Sequence, residues 1–158
     1  MAAEYLLTSS LAPIERGQVF EGSLPLHVTV QQWFSLEYER AFINALQNLA
    51  TRFEPLEIEG GDEALYGQNN DVPVRLVRRV GRLARLHTQT GELVARFGGE
   101  LRNPEWAGDH YSPHVTHVDG DELKEGEVVT IRTIELIKRV PGERLKTVES
   151  VLPLSRKS

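Results

Sequence analysis

The tripeptide His-Val-Thr occurs twice in this 158-residue chain, at positions 27–29 and 114–116. Each copy follows a proline, Pro25 or Pro113, and its valine and threonine favour an extended strand. Side chains alternate between the faces of a strand, so the histidine and threonine of each copy point the same way while the valine points into packing. Two such strands brought together would present two imidazoles and two hydroxyls to one cavity. The repeat therefore predicts a fold built around two matched strands.

Length, composition and charge limit the classes of protein that remain. We expect one domain over residues 1–158, with halves of roughly 1–71 and 72–158. The absence of cysteine excludes disulfides, thiol nucleophiles and thiolate zinc sites. A net charge of −5 argues against a DNA duplex as partner. The sequence has no signal-peptide pattern and no apolar run of membrane-spanning length, which predicts a cytoplasmic protein without membrane contact, and we expect a monomer.

Hydrophobic periodicity places the secondary structure. Apolar residues at helical spacing predict helices at 36–53 and 80–97, with Ser35 as the N-cap of the first. Strands are predicted at 5–8, 26–34, 56–59, 64–66, 72–77, 113–118, 127–138 and 146–154.

Turn residues connect these elements into a fold. Turns are predicted at 60–62 and at Pro141-Gly142, and residues 98–112 read as a long polar loop. Each half of the chain then supplies one motif, one helix and a few strands. The sequence therefore predicts an α+β fold with pseudo-twofold duplication, in which two antiparallel sheets flank a central cleft and a helix lies outside each half.

The repeated motif resembles that of the 2H phosphoesterase superfamily, which includes 2′,5′ RNA ligase-like proteins and 2′,3′-cyclic nucleotide phosphodiesterases. The family pattern, His, apolar, Thr or Ser, apolar, stands here as His27-Val28-Thr29-Val30 and His114-Val115-Thr116-His117. His117 replaces an apolar residue, and the acidic Asp119-Gly120-Asp121 follows where many ligase-like members carry a basic residue.

The resemblance implies a hydrolase that needs no metal or other cofactor. Its partner would be a nucleotide or RNA end with a 2′,3′-cyclic phosphate or a 2′,5′ linkage. His27 and His114 would be the acid and base, in an order that the sequence leaves open, because histidine titrates near neutrality. Thr29 and Thr116 would bind the non-bridging oxygens. The alternative is a catalytically idle module that binds nucleotides or RNA ends with the same fold.

Three further residues are candidates for substrate binding. Arg75 on a strand is a candidate phosphate ligand, while Trp33 and Tyr111 are candidates for stacking on a nucleobase. The alternative for Arg75 is a place on a solvated face, and for the two aromatic residues it is core packing or loop anchoring. His87, at the edge of an apolar helix stripe, is expected to be a hydrogen-bonded structural histidine.

A second cluster of histidines raises the alternative of a metal site. It consists of His110, His114 and His117, with Asp109 and Asp119. A shared ligand set would need His114 and His117 on one face, as on a helix, whereas a strand places residues three apart on opposite faces. Because the segment is predicted to be a strand, we expect no metal site there.

Overall fold

The computed structural model describes residues 2–157, so the ends of the predicted domain, Met1 and Ser158, lie outside the described residues. Within 2–157, nine strands and two α-helices form one α+β unit. The strands are β1 (Glu4–Ser10), β2 (Val19–Glu21), β3 (His27–Phe34), β4 (Leu56–Tyr66), β5 (Val72–Arg78), β6 (His114–Thr116), β7 (Val128–Ile131), β8 (Thr133–Arg139) and β9 (Leu145–Pro153). The helices are α1 (Glu39–Ala50) and α2 (Gly81–Arg96), and neither is long and apolar enough to cross a membrane.

The strands form one curled antiparallel sheet in the order β2-β9-β8-β1-β3-β6-β5-β4-β7. The predicted α+β class is confirmed, but the division into two sheets is not. The two motif strands, β3 and β6, lie side by side in the middle of the sheet and pair at Val28 and Val115. This short ladder joins the two halves of the sheet, so the backbone groups of both motif strands are hydrogen-bonded to neighbours.

Both helices pack on the face of the sheet that carries Val28 and Val115. Their buried residues include Phe42 and Leu46 of α1 and Leu86 of α2, which join the two valines in the main hydrophobic core. Burying these apolar surfaces away from water is the main source of stability in such a layer. The opposite face of the sheet is left for the histidines and threonines of the motifs.

The first helix begins later than the sequence predicts, at Glu39 rather than near residue 36. The backbone N–H groups of Glu37 and Tyr38 donate to the carbonyl of Phe97 at the end of α2, and the Ser35 hydroxyl accepts from the N–H of Glu100. The segment 35–38 is therefore hydrogen-bonded to the residues that follow α2 and does not form the first turn of α1. The prediction that Ser35 is the N-cap is wrong for this reason.

The predicted turn at 60–62 is also wrong, because β4 runs without interruption through these residues. A bulge lies between Gly60 and Glu63 in the ladder to β5. The N–H of Gly60 donates to Glu127 (2.9 Å), and the N–H of Gly126 donates to Gly60 (2.8 Å). A Cβ at position 60 would clash with the carbonyl oxygen of Lys124. The glycine pair therefore permits close approach of a loop and does not turn the chain.

Two more predictions are tested at the C-terminal end of the chain. The predicted strand at 127–138 is split at Arg132 into β7, which pairs with β4, and β8, which pairs with β1. The carbonyl of Arg132 accepts from the N–H of Leu154 instead of continuing a ladder. The predicted hairpin at Pro141-Gly142 is confirmed, since it joins β8 to β9 with Gly142 at a φ of 88°.

Candidate active site

The antiparallel pairing of the motif strands brings their polar side chains onto one face. Because the two valines are opposite each other, His27 lies beside Thr116 and His114 lies beside Thr29. All four polar side chains are half-buried, while the paired valines are fully buried. The two histidines are diagonal neighbours, a relationship that places the residues about 7–8 Å apart, with their Cβ atoms somewhat closer. The arrangement is pseudo-twofold, with an imidazole and a hydroxyl from each motif.

The two imidazoles are held in the same way. Nδ1 of His27 is 2.8 Å from the carbonyl oxygen of Pro25, and Nδ1 of His114 is 3.0 Å from the carbonyl oxygen of Ser112. A carbonyl oxygen can only accept, so Nδ1 carries the proton in both neutral rings. Each Nε2 is then the atom that gains or loses a proton.

The environment of His27 favours its neutral form. Burial lowers the pKa of His27 below the ordinary 6.5, although the bond to Pro25 opposes this effect. The positive charges of His114 and Lys146 lower the pKa of His27 further. His27 is therefore mainly unprotonated at neutral pH.

Neighbouring strands extend this face on both sides of the motifs. Residues directly opposite in a ladder share a face of the sheet. In β1, Ser10 lies opposite His27 and Thr8 lies opposite Thr29; in β5, Leu76 lies opposite His114 and Val74 lies opposite Thr116. The face is thus polar on the β1 side and apolar on the β5 side.

Glu135 of β8 is a buried carboxyl on the same face. It lies opposite Thr8, and its two carboxyl oxygens are 3.0 and 3.3 Å from the backbone N–H of Ser10, the partner of His27. Glu135 is fully buried, and burial raises its pKa to about 7 although hydrogen bonds from Ser10 and Thr133 oppose the rise. Sequence reasoning missed this residue, and its only signal was an acidic side chain in the apolar run Ile134–Ile137.

Tyr66, at the end of β4, contacts the second motif. Its ring centroid is 4.6 Å from that of His114, with the ring planes at 70°. Its hydroxyl is 3.2 Å from the hydroxyl of Ser112, whose carbonyl holds His114. The sequence placed Tyr66 in a strand but gave no indication of its neighbours, since the contact depends on the pairing of three strands.

Arg75 lies on the opposite face from His114. It is paired with Val115, so it shares the valine's face and not that of the imidazole. Its Nε donates to the carbonyl of Leu123 at 2.9 Å, and a second nitrogen is 3.2 Å from a carboxyl oxygen of Glu122. The structure does not bring Arg75 to the motif residues.

The side chain of His117 belongs to the Arg75 cluster rather than to the motif face. Possible ligand atoms of Glu63, His117 and Glu122 lie within 4.8 Å of one another. The guanidinium of Arg75 lies among them, 3.2 Å from Glu122 and 3.9 Å from Glu63, and supplies a positive charge there. The strand prediction places His114 and His117 on opposite faces, and the structure agrees. His114 lies on the motif face, whereas the ring of His117, just after the end of β6, lies beside Glu122.

Trp33 lies far along β3 from the motif. It is six positions along the chain from His27, a distance of about 20 Å in an extended strand. Its ring is covered by the guanidinium of Arg139 at 3.8 Å, and it packs against a small apolar cluster that includes Leu6 and Ile137. These contacts leave Trp33 outside the group of residues around the two imidazoles.

Tyr111 and His87 form a stacked pair that holds the backbone of the first motif strand. Their rings are 3.9 Å apart and nearly parallel, at 2°. The Tyr111 hydroxyl donates to the carbonyl of Thr29 (2.6 Å). Nδ1 of His87 donates to the carbonyl of Val30 (2.9 Å), and its Nε2 accepts from the N–H of Gly108 (3.1 Å). The prediction that His87 is a hydrogen-bonded structural histidine is confirmed. Tyr111 stacks on its ring and bonds to the backbone of Thr29.

Comparison with solved structures identifies the fold, although no family model and no curated protein matches the sequence. TT0787 of Thermus thermophilus superimposes with a TM-score of 0.64 at 14% identity, over 98% of this chain and 100% of that chain. A phosphoesterase matches with a TM-score of 0.59 at 18% identity, over 99% of this chain and 100% of that chain. E. coli LigT complexed with NADP+ matches with a TM-score of 0.59 at 16% identity, over 98% of this chain and 99% of LigT.

These matches define the class of protein at the level of the fold. The chain has the LigT-like α+β fold, with a curled antiparallel sheet and two helices. The fold that the motif resemblance implies is therefore confirmed. Coverage is nearly complete in both directions, so the likeness extends over the whole unit and not one half of it.

Proposed function

We propose that the protein is a metal-independent phosphodiesterase that acts on 2′,3′-cyclic phosphates or 2′,5′ linkages of nucleotides or RNA ends. The observation that carries this proposal is the shared face of the two motifs. There, each imidazole is held through Nδ1 by a carbonyl two residues earlier, which leaves Nε2 for proton transfer. The phosphoesterase among the structures with this fold supports the reaction class.

The reaction needs one neutral and one protonated imidazole. For a 2′,3′-cyclic phosphate, the neutral Nε2 takes a proton from water as the water oxygen bonds to phosphorus. The bond from phosphorus to one ribose oxygen breaks, and the protonated Nε2 gives its proton to that oxygen. A phosphate monoester and a free hydroxyl result, and proton exchange with solvent restores both rings.

The two threonines supply the remaining chemistry on this face. Hydroxyls of Thr29 and Thr116 donate to the non-bridging oxygens of the phosphate, where negative charge is concentrated in the transition state. Each threonine lies beside the histidine of the other motif, so the phosphate is held across the pair of strands. This position lies between the two imidazoles.

The roles of the histidines follow from their surroundings. Burial lowers the pKa of His27, so this ring is the better base for the proton of water at neutral pH. His114 is then the acid that protonates the leaving oxygen. Both residues remain necessary, because bond formation and bond cleavage occur at the same phosphorus.

The partner is expected to be a nucleotide or an RNA end. E. coli LigT has been solved with NADP+ and with 3′-AMP, which supports nucleotide binding by this fold. The net charge of −5 favours a small or local anionic target over a long duplex.

Turnover of defined substrates tests the proposal. We expect the purified protein to open 2′,3′-cyclic mononucleotides or to cleave 2′,5′-linked dinucleotides, with equal rates in the presence and absence of EDTA. The products are followed by chromatography. Binding of these compounds without turnover would instead indicate the idle module, and loss of activity in EDTA would indicate a metal-dependent hydrolase.

The pH dependence of kcat/KM tests the assignment of base and acid. We expect a bell-shaped profile, because one histidine must be neutral and the other protonated. Since burial lowers the pKa of His27, the acidic limb should have an apparent pKa below 6.5. Circular dichroism at each pH controls for unfolding. An acidic limb at or above 6.5 would contradict the role of His27 as base.

A further inference from the structure

Tyr66 completes a closed set of contacts around His114. The tyrosine ring packs against the imidazole at 4.6 Å and 70°, and the tyrosine hydroxyl is 3.2 Å from that of Ser112. The carbonyl of Ser112 in turn holds Nδ1 of His114 at 3.0 Å. One side chain therefore supports both the imidazole and the backbone segment that orients it.

Strand pairing places Tyr66 on the reactive face. Tyr66 lies opposite Val72 in the hairpin of β4 and β5, and two residues further along β5 Val74 lies opposite Thr116. Side chains two residues apart on a strand share a face, so Tyr66, Val74 and Thr116 lie on the same side of the sheet. This is also the side of His114.

The two motif histidines differ in how much support the sheet gives them. His27 begins β3, an eight-residue strand paired with β1 on one side, and its residue partner is the buried Ser10. His114 begins β6, which has only three residues; its residue partner in β5 is Leu76, and Ser112, two residues before it, is exposed. The shorter strand leaves the second imidazole more dependent on side-chain contacts for its orientation.

We propose that Tyr66 is a positioning residue that fixes the orientation of His114 for proton transfer. This inference rests on the proposed function, because it assigns a task to a residue of the same site. Tyr66 has no proton-transfer role of its own. It acts by restricting the rotamer of the imidazole through ring packing and by restraining Ser112 through its hydroxyl.

Two substitutions at position 66 separate these contacts. Tyr66→Leu removes ring and hydroxyl, and we expect kcat to fall about 10- to 100-fold, the cost of a small misplacement of a reacting group. KM should change less than about twofold, since substrate binding is not its task. Tyr66→Phe keeps the ring, and we expect it to restore most of kcat.

The hydroxyl contact has its own double-variant test. Ser112→Ala removes the partner of the Tyr66 hydroxyl while leaving the carbonyl that holds His114. We expect Ser112→Ala and Tyr66→Phe to have equal small effects and the double variant to be no worse than either, because both remove one interaction. Tyr38→Leu, at an exposed tyrosine on the helix side, is the matched control and should keep wild-type kcat.

A spectroscopic readout tests the contact without relying on activity. Nitrogen-15 NMR of the histidine rings reports which nitrogen carries the proton. We expect wild-type His114 to be in the Nδ1–H form and Tyr66→Leu to populate both tautomers at His114, with the signals of His27 unchanged.

The outcomes distinguish failure of the positioning role from failure of the proposed function. Wild-type kcat in Tyr66→Leu, a rise in KM alone, or an equal disturbance of His27 and His114 would overturn the positioning role. If the wild-type protein shows no turnover of any of the substrates, the proposed function fails. An NMR change confined to His114 in Tyr66→Leu would still establish that Tyr66 orients this ring.

Discussion

Replacement of either motif histidine by alanine is expected to lower the turnover of a 2′,3′-cyclic nucleotide by about 10²–10⁴-fold, the usual contribution of general acid–base catalysis. His27→Ala removes the proposed base and His114→Ala removes the proposed acid. Each variant leaves water or buffer to carry the missing proton. The measurement is the initial rate of product formation at saturating substrate, compared with the wild-type protein under the same conditions.

The histidine variants should remain folded. Both imidazoles are half-buried, and each makes a single hydrogen bond to a carbonyl. Thermal unfolding followed by circular dichroism should therefore show a cooperative transition in every variant. His110→Ala, at an exposed histidine in the loop before β6, is the matched control and should keep wild-type activity.

The double variant distinguishes joint catalysis from two independent effects. If both imidazoles act on one phosphorus in one step, His27→Ala combined with His114→Ala should be little worse than the poorer single variant. Multiplied losses would indicate that the two residues act in separate steps. Wild-type turnover in either single variant would contradict the two-histidine mechanism.

The motif face could be predicted from sequence because it depends on local alternation. In each His-Val-Thr copy the strand period alone separates the valine from its neighbours, and in the structure Val28 and Val115 are the buried partners. The helices were also predictable, since their buried stripes recur at helical spacing. Only the ends of the helices differ from the prediction, because backbone groups there bond to distant parts of the chain.

The position of Arg75 could not be predicted from its own strand. Alternation shows that Arg75 and Leu76 point to opposite faces, but it does not show which of them faces His114. That choice is set by the register between β5 and β6, which pairs Leu76 with His114. Register depends on contacts between residues far apart in sequence.

The glycine pair at 60–61 shows the same limitation for turns. Two adjacent glycines before an aspartate are typical of a turn, and the sequence contains no sign of the loop that approaches them. Gly60 is in fact required inside β4, where a Cβ would clash with the backbone of Lys124, and a Cβ at Gly61 would be tight against the carbonyl oxygen of Leu76. Tertiary packing therefore decided between two local conformations that glycine permits equally.

Glu135 makes a second strong prediction, this time for stability. Its carboxyl is fully buried on the motif face, and burial raises its pKa from 4.5 to about 7 because a charged carboxylate is poorly solvated there. Between these two pH values the folded protein holds a proton that the unfolded chain releases. The free energy of unfolding contributed by Glu135 is therefore greatest below pH 4.5 and is lost as the pH rises through about 7.

Glu135→Gln should remove this dependence, because glutamine stays neutral and its amide oxygen can still accept from the N–H of Ser10. We expect the variant to unfold with a free energy about 3 kcal/mol higher than wild type at pH 8 and nearly equal at pH 4. Urea unfolding at both pH values measures the difference. Glu143→Gln, at an exposed carboxyl in the β8–β9 turn, is the matched control and should leave the pH dependence of wild type intact. An equal difference between variant and wild type at both pH values would show that the pKa of Glu135 is the same in the folded and unfolded chain, which would contradict the raised pKa.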